Sequence, residues 1–329
     1  MSFTSLQFLL FLPLVFALYW VMQHRLRWQN VLLVVASYVF YGWWNWRFLG
    51  LIALTTAVSF VSGLLLEHCE GRERQRRLVT ISSVLFNLGI LVLFKYYNFF
   101  ADNFTVLLQA FGLHADLPTL RLILPVGISF YTFQALSYTM DVYRGIIGAE
   151  RDFFTYALFV SFFPQLVAGP IERSGNLLGQ LKTAHRFEFD NLREGLLIII
   201  WGFFLKLVIA DRIALFIDAV YGERYLYPGC YLALASILFP IQVYCDFYGY
   251  STIAMGSAKL LGIELMENFR SPFLSASIAE FWRNWHVSLT SWFKDYLYIP
   301  LGGSRRGPVR KQINRMIVFW SAACGTGRT

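Results

Sequence analysis

The sequence predicts an all-α, polytopic membrane fold with about eight to ten membrane helices and one amphipathic or re-entrant helix. Three observations lead there. Only 15% of the 329 residues are charged while 57% are hydrophobic, whereas a soluble domain carries roughly 25% charge and must cover its surface with polar groups. Apolar runs close to the length of a bilayer core recur along the chain. The Lys and Arg gather in short breaks between those runs, and 18 Tyr and 10 Trp suit membrane–water interfaces.

The first four runs are 6–21, 31–46, 48–66 and 78–94. A helix needs about 20 apolar residues to cross ~30 Å of hydrocarbon, so the shorter runs imply tilt or snorkelling flanks. The first run lacks a basic lead-in and a small-residue cleavage site, and is expected to be retained as a span. Arg25 and Arg27 occupy the first break, Arg47 the second, the basic tract 71–77 the third, and Lys95 opens the fourth. The positive-inside rule then puts the first and third breaks in the cytoplasm and the N-terminus outside. Further apolar runs follow at 101–111, 122–136, 153–168, 196–209, 230–244 and 252–261. Pro125, Pro164, Pro170 and Pro240 are expected to interrupt or end helices, which a membrane tolerates only where protein or a water-filled cavity satisfies the freed backbone. Two basic stretches, 173–193 and 270–315, are too polar to span and are expected on the cytoplasmic side.

Several function classes are excluded. The net charge of +8 is distributed as topology and anionic headgroups require, so no nucleic acid is implied. Cys69, Cys230, Cys245 and Cys324 show no C-x-x-C and no metal-ligand spacing, and His68-Cys69 has no second pair to complete a tetrahedral site. No glycine-rich phosphate loop supports a nucleotide-driven pump. No bound cofactor is expected.

Chemistry concentrates in residues 280–303. On a helix from 281 to 296, Phe281, Trp285, Leu289, Trp292 and Tyr296 form an aromatic stripe, and Arg283, His286, Thr290 and Lys294 a polar one. Such a helix lies at the interface or re-enters the membrane. His286 can exchange a proton near neutral pH, though an interfacial histidine bonded to a neighbouring helix fits the spacing as well. Asp246 stands in the aromatic run 244–250, where an ionisable group marks either function or a structural ion pair. Asn268 and Arg270 belong to a structured turn ahead of the amphipathic helix, and Glu172-Arg173 to an interfacial charge pair after Gly169-Pro170.

Taken in order, several segments resemble the membrane-bound O-acyltransferase superfamily, in its alginate O-acetyltransferase-like branch. They are 36–41, 94–99, 124–131, 141–144, 163–171, 266–269, Glu280-Phe281-Trp282-Arg283-Asn284-Trp285-His286, and 295–303. The resemblance implies transfer of an acyl group, here acetyl, from a cytosolic thioester such as acetyl-CoA to hydroxyls of an extracytoplasmic polysaccharide such as alginate. It implies a bacterial inner-membrane location, with periplasmic polysaccharide-modification proteins as partners besides the bilayer and the donor. The family's Trp-His motif is matched by His286, which becomes the catalytic candidate. Asp246, Asn268, Arg283 and Asp295 become candidates along the substrate path. A second family histidine, in a downstream Leu-Trp-His-Gly motif, is the one the resemblance implies as catalytic, and it is absent.

Two departures from the family pattern matter. Tyr248 and Thr252 replace a Ser and an Asp in the family's Asp-Phe-Ser-Gly-Tyr-Ser-Asp, which bears on substrate preference. After Phe319, where the family continues through Ser-Gly-Leu-Trp-His-Gly-Ala-Asn, this sequence reads differently, so residues 1–320 are expected to be a partial acyltransferase domain and 321–329 an aberrant tail. Shifting one possible coding sequence for Ser-Gly-Leu-Trp-His-Gly-Ala-Asn by one base gives Ala-Ala-Cys-Gly-Thr-Gly-Arg-Thr, the run 322–329. A frameshifted chain would be weak or inactive. Two other readings are an acyl-group channel or transporter, and a non-catalytic assembly partner. Resequencing the gene through the codons for Val318 to Thr329 is expected to restore Leu-Trp-His-Gly one frame over; an unbroken frame without it sinks the frameshift.

Overall fold

The computed structural model describes residues 1–110, 125–167 and 169–326. Ala168, the start of the predicted 122–136 run, the end of the 101–111 run and the last three residues of the tail lie outside the described residues. All regular structure among the described residues is helical.

The first helix, α1 (Leu6–Val21), is capped by the Ser5 hydroxyl, which accepts from the Phe8 amide as an N-cap should. It is followed by α2 (Leu26–Asn45), a tight turn at Trp46–Phe48, and α3 (Leu49–His68). Then α4 (Glu73–Ala110) runs 38 residues without a break. It fuses the predicted runs 78–94 and 101–111, because Lys95 is buried along the helix instead of ending it. α5 (Ile128–Tyr143) packs against α3 and α4. The predicted 153–168 run breaks into α6 (Phe153–Ser161) and α7 (Phe163–Leu166), parting at Phe162 so that Pro164 stands in the first turn of α7, where its missing amide and its ring cost the helix nothing.

The basic stretch after residue 173 folds into α8 (Ser174–Leu181). Next, α9 (Phe189–Phe203), a wide π turn at Phe204–Ala210 and α10 (Asp211–Gly222) follow directly on one another. α11 (Gly229–Leu260) absorbs both the 230–244 and 252–261 runs and passes through Pro240. The expectation that Pro240 interrupts a helix is thus corrected: proline removes one hydrogen bond, and in a long apolar helix the neighbouring turns hold the rest. Two seven-residue helices, α12 (Ile278–Asn284) and α13 (Val287–Phe293), then lead into a π turn at Lys294–Tyr298 and α14 (Gly307–Thr326). α14 crosses the 320/321 boundary without a break.

Among the described residues three helices are long and apolar enough to cross a membrane, Trp46–His68, Glu73–Thr105 and Gly229–Leu260, with shorter apolar helices at Leu6–Val21 and Phe153–Leu166. The chain is a polytopic membrane protein. Leu6, Leu10 and Leu14 on α1 and Ile237 and Phe239 on α11 are exposed, a waste in water but the natural surface in lipid. The core is aromatic: Phe8, Phe11, Phe40 and Phe163 meet edge-on or tilted, with centroids 5.3–6.4 Å apart.

Close packing of α9 on α11 orients the segment that carries the site. The two helices meet at Gly195 and Gly202 on one side and Gly249 and Gly256 on the other. A Cβ on Gly202 would stand 2.9 Å from the Gly249 carbonyl oxygen, and one on Gly256 would stand 2.7 Å from that of Gly195. Each pair is two helical turns apart, so the backbones touch at two levels, the small-residue contact that replaces the hydrophobic drive inside lipid. Gly256→Val is expected to cost about 1–3 kcal/mol and to lower the thermal midpoint in detergent micelles. Gly50→Ala, which meets nothing within 4 Å, is expected to be neutral or better. Equal midpoints for the two variants would refute the backbone contact.

Candidate active site

The residues 281–296 do not form one helix. Trp285 is extended and His286 takes a left-handed conformation at φ 46°, so the continuous polar and aromatic stripes expected from periodicity are corrected to two half-stripes. Phe281 still stacks on Trp285 at 5.4 Å, and Trp292 still packs on Tyr296 at 5.1 Å. What splits them is a strand-like exchange with the turn after α11. The Arg270 amide donates to the Asn284 carbonyl at 3.0 Å, and the Val287 amide to the Asn268 carbonyl at 2.8 Å. These bonds take the backbone groups that a continuous helix would have used.

Asn268 is the centre of this exchange and is buried. Its side-chain amide donates to Ser251 Oγ on α11 at 3.0 Å, and its Oδ1 accepts from Ser288 Oγ on α13 at 2.5 Å. Ser288 Oγ also accepts from the Ile171 amide at 3.1 Å and lies 3.5 Å from His286 Nδ1. Asn268 was expected in this neighbourhood; Ser288 was not. The signal for Ser288 was available, since a serine two residues past the histidine shares its turn once the helix breaks there.

The imidazole is half-buried among aromatic rings. Phe247 meets it edge-on at 4.8 Å, and Phe269 and Phe130 stand 6.3 and 6.4 Å away. His286 lies between two short helices, outside the spanning segments, and burial pushes its pKa down to about 4. It is therefore held neutral at physiological pH.

The other expected residues divide. Asp246 precedes Phe247, but its carboxylate turns to Lys206 on the π turn after α9; Lys206 also bonds Asp211 Oδ1 at 2.7 Å. Its ion pair is thus with a lysine. Asp295 accepts from Arg173 Nη2 at 2.7 Å, while Arg144 donates to the Asp295 carbonyl at 3.1 Å. Arg283 is exposed and makes no ion pair among the described residues.

A buried cluster beside Asp295 was not expected as a site. Asp141 accepts from Tyr296 Oη at 2.7 Å and from Ser174 Oγ. The Arg144 and Arg173 guanidinium groups lie 5.1 and 4.8 Å from the Tyr296 ring centre. Burial, and after it the Asp141 carboxylate, hold the Tyr296 phenol well above its ordinary pKa, so it stays a donor. Glu172 forms no salt bridge with the Arg173 guanidinium, which turns to Asp295, although the Arg173 amide and charge both act on its carboxyl. It is fully buried and accepts from the Met266 amide and, at 2.8 Å, from Asn176. Burial raises its pKa. No group of His, Cys, Asp and Glu suited to a metal occurs among the described residues.

Comparison with known proteins agrees with this architecture. The model of the membrane-bound O-acyltransferase family matches residues 146–324. The chain is 41% identical over 308 residues to "Probable alginate O-acetylase AlgI" of Pseudomonas putida, covering 93% of this chain and 62% of that protein. The protein of the same name from Azotobacter vinelandii is also 41% identical, over 307 residues, covering 93% of this chain and 60% of its own length. The peptidoglycan O-acetyltransferase of Helicobacter pylori is 34% identical over 345 residues, covering 96% and 64%. The chain thus spans about 60% of the length of the curated relatives it matches.

Because the folded chain keeps His286 neutral where an unfolded imidazole binds a proton, stability is expected to fall as the pH drops through about 6.5 toward 4. The thermal midpoint should drop less between about pH 7 and pH 5 in His286→Gln than in the parent chain. Equal drops would mean that the imidazole titrates as an exposed group.

Proposed function

The chain belongs to the membrane-bound O-acyltransferase family, and from that premise we propose that it forms the larger part of an O-acyltransferase. The enzyme moves an acyl group, acetyl in the leading case, from a cytosolic thioester such as acetyl-CoA to hydroxyls of an extracytoplasmic polysaccharide such as alginate. The proposal concerns the chain joined to the further sequence that its relatives carry. It includes a bacterial inner-membrane setting with the N-terminus outside, and periplasmic polysaccharide-modification proteins as partners.

The observation that carries the proposal is His286. It is a neutral imidazole set in a strained left-handed break, walled by Phe247, Phe269 and Phe130 and anchored beside Ser288. Non-glycine residues in that conformation persist only where surrounding contacts enforce them, and they cluster at functional sites. In the reaction the acceptor oxygen attacks the thioester carbonyl carbon. Its proton passes to the imidazole, the carbon–sulfur bond breaks, and the thiolate leaves and is protonated in turn. The low-dielectric aromatic wall strengthens each of these electrostatic steps.

A channel would be suited by polar intramembrane residues such as Asp246. Its pairing with Lys206 accounts for it structurally, which favours catalysis. In a full-length enzyme, His286→Gln is expected to lower O-acetylation of the polysaccharide by about 100-fold or more, at unchanged protein level in the membrane. Unchanged acetylation would favour the channel reading, and normal complex assembly without turnover in the parent would favour the assembly partner.

A further inference from the structure

We propose that Asn268 and Ser288 are positioning residues that fix the tautomer of His286, holding the proton on Nδ1 and leaving Nε2 free as the base. The proposal follows from counting protons and lone pairs around Ser288 Oγ. That oxygen has one proton to give and two lone pairs to offer. It is fully buried, so its partners must be protein groups.

One lone pair takes the Ile171 amide, 3.1 Å away. The proton has two possible destinations, Asn268 Oδ1 at 2.5 Å and His286 Nδ1 at 3.5 Å. The shorter and better contact wins, so the proton points to Asn268. What then faces Nδ1 is the remaining lone pair of the hydroxyl. An unprotonated Nδ1 would set lone pair against lone pair beside a fully buried hydroxyl. A protonated Nδ1 donates there instead. Since the ring stays neutral, Nε2 must carry the free lone pair.

The conclusion depends on which way the Asn268 amide faces. With nitrogen and oxygen exchanged, Ser288 would accept two N–H groups and its proton would be free to turn toward Nδ1, giving the opposite tautomer. The distances decide this. A separation of 2.5 Å suits O–H···O and is too short for N–H···O, whereas 3.0 Å to Ser251 Oγ is ordinary for an amide nitrogen donor. Oδ1 therefore faces Ser288.

Asn268 is itself held in place from the α8 side. The Gln180 side chain binds the Glu264 backbone in both directions, donating to its carbonyl at 2.9 Å and accepting from its amide at 2.8 Å. Glu172 accepts from the Met266 amide. The turn that presents Asn268 thus cannot shift without breaking three bonds to the segment that also supplies Ile171.

The role as base rests on the acyltransferase reading, but the tautomer does not, and the two are measured separately. The chain labelled with 15N-histidine and held in lipid nanodiscs reports which ring nitrogen carries the proton at neutral pH. His286 is identified by the signal lost in His286→Gln. The parent is expected to show a protonated Nδ1 and a bare Nε2. Asn268→Ala frees the Ser288 proton to turn to Nδ1 and is expected to move the ring proton to Nε2. Asn268→Asp retains an acceptor for the Ser288 proton and is expected to keep the parent pattern. A bare Nδ1 in the parent, or the same pattern in Asn268→Ala as in the parent, overturns the proposal. In the full-length enzyme Ser288→Ala is expected to lower kcat with KM unchanged. A parent with the expected tautomer but no effect of His286→Gln on transfer would refute the acyltransferase reading and leave the tautomer assignment standing.

Discussion

A helix broken in apolar surroundings must find new partners for its backbone, and this requirement governs the site. At residues 284–287 two such groups are answered by the turn after α11, through Arg270 to Asn284 and Val287 to Asn268. A buried hydrogen-bonding group left unmet costs about 1–3 kcal/mol. The left-handed backbone of His286 costs roughly 1–2 kcal/mol. The two bonds therefore outweigh the strain they impose, and the break is the stable arrangement once the turn is in place. Without the turn, the same residues would favour the continuous helix that their periodicity describes.

That balance explains where the sequence could be read and where it could not. The run 6–21 is α1 residue for residue, because a short apolar helix ends where its apolar residues end. Runs 78–94 and 101–111 were separated at Lys95 by charge, but the backbone does not have to end at a charge that packs inside. Lys95 is buried and its ammonium lies 5.8 Å from the Tyr96 ring centre. Pro240 misled for the converse reason, since one missing bond does not end a helix of 32 residues. At the site, His286 stood out by type and motif. Its break did not, since both halves remain helical and the bonds that split them come from residues 268 and 270, earlier in the chain. Asp141 and the true partner of Glu172 were silent because a polar residue near an apolar run has many structural explanations, and only distant partners such as Tyr296 and Met266 select one.

The charged residues sort by the same logic of partners. Lys206 lies between Asp211 and Asp246, so a single cation offsets two carboxylates that would otherwise repel each other. Buried or half-buried pairs of this kind are weak stabilisers on balance, but removing one member leaves an uncompensated charge. The cluster therefore fixes the register of α10 and α11 against the π turn. The Arg173–Asp295 pair, with Asp141 and Tyr296 beside it, ties the end of α5 and the start of α8 to the turn after α13. Neither cluster turns a free charge toward the imidazole.

Holding and reacting are thus assigned to different residues. Glu172, Gln180, Asn268 and Ser288 spend their hydrogen-bonding capacity on the backbone, on one another, or on the neighbouring Asn176 and Ser251 side chains. His286 has one ring nitrogen near Ser288 and an aromatic wall, with no acidic partner among the described residues. A carboxylate at Nδ1 would raise the basicity of the ring and favour the imidazolium. A hydroxyl that has already committed its proton elsewhere orients the ring without adding charge. The ring stays neutral, and its free nitrogen is a weak base. Such a base suits a proton that leaves an alcohol only as the carbon–oxygen bond forms, when the acidity of that proton rises. The segment from Ile171 to Gln180, through its bonds to Ser288 and to the turn that carries Asn268, sets where the one reactive nitrogen points.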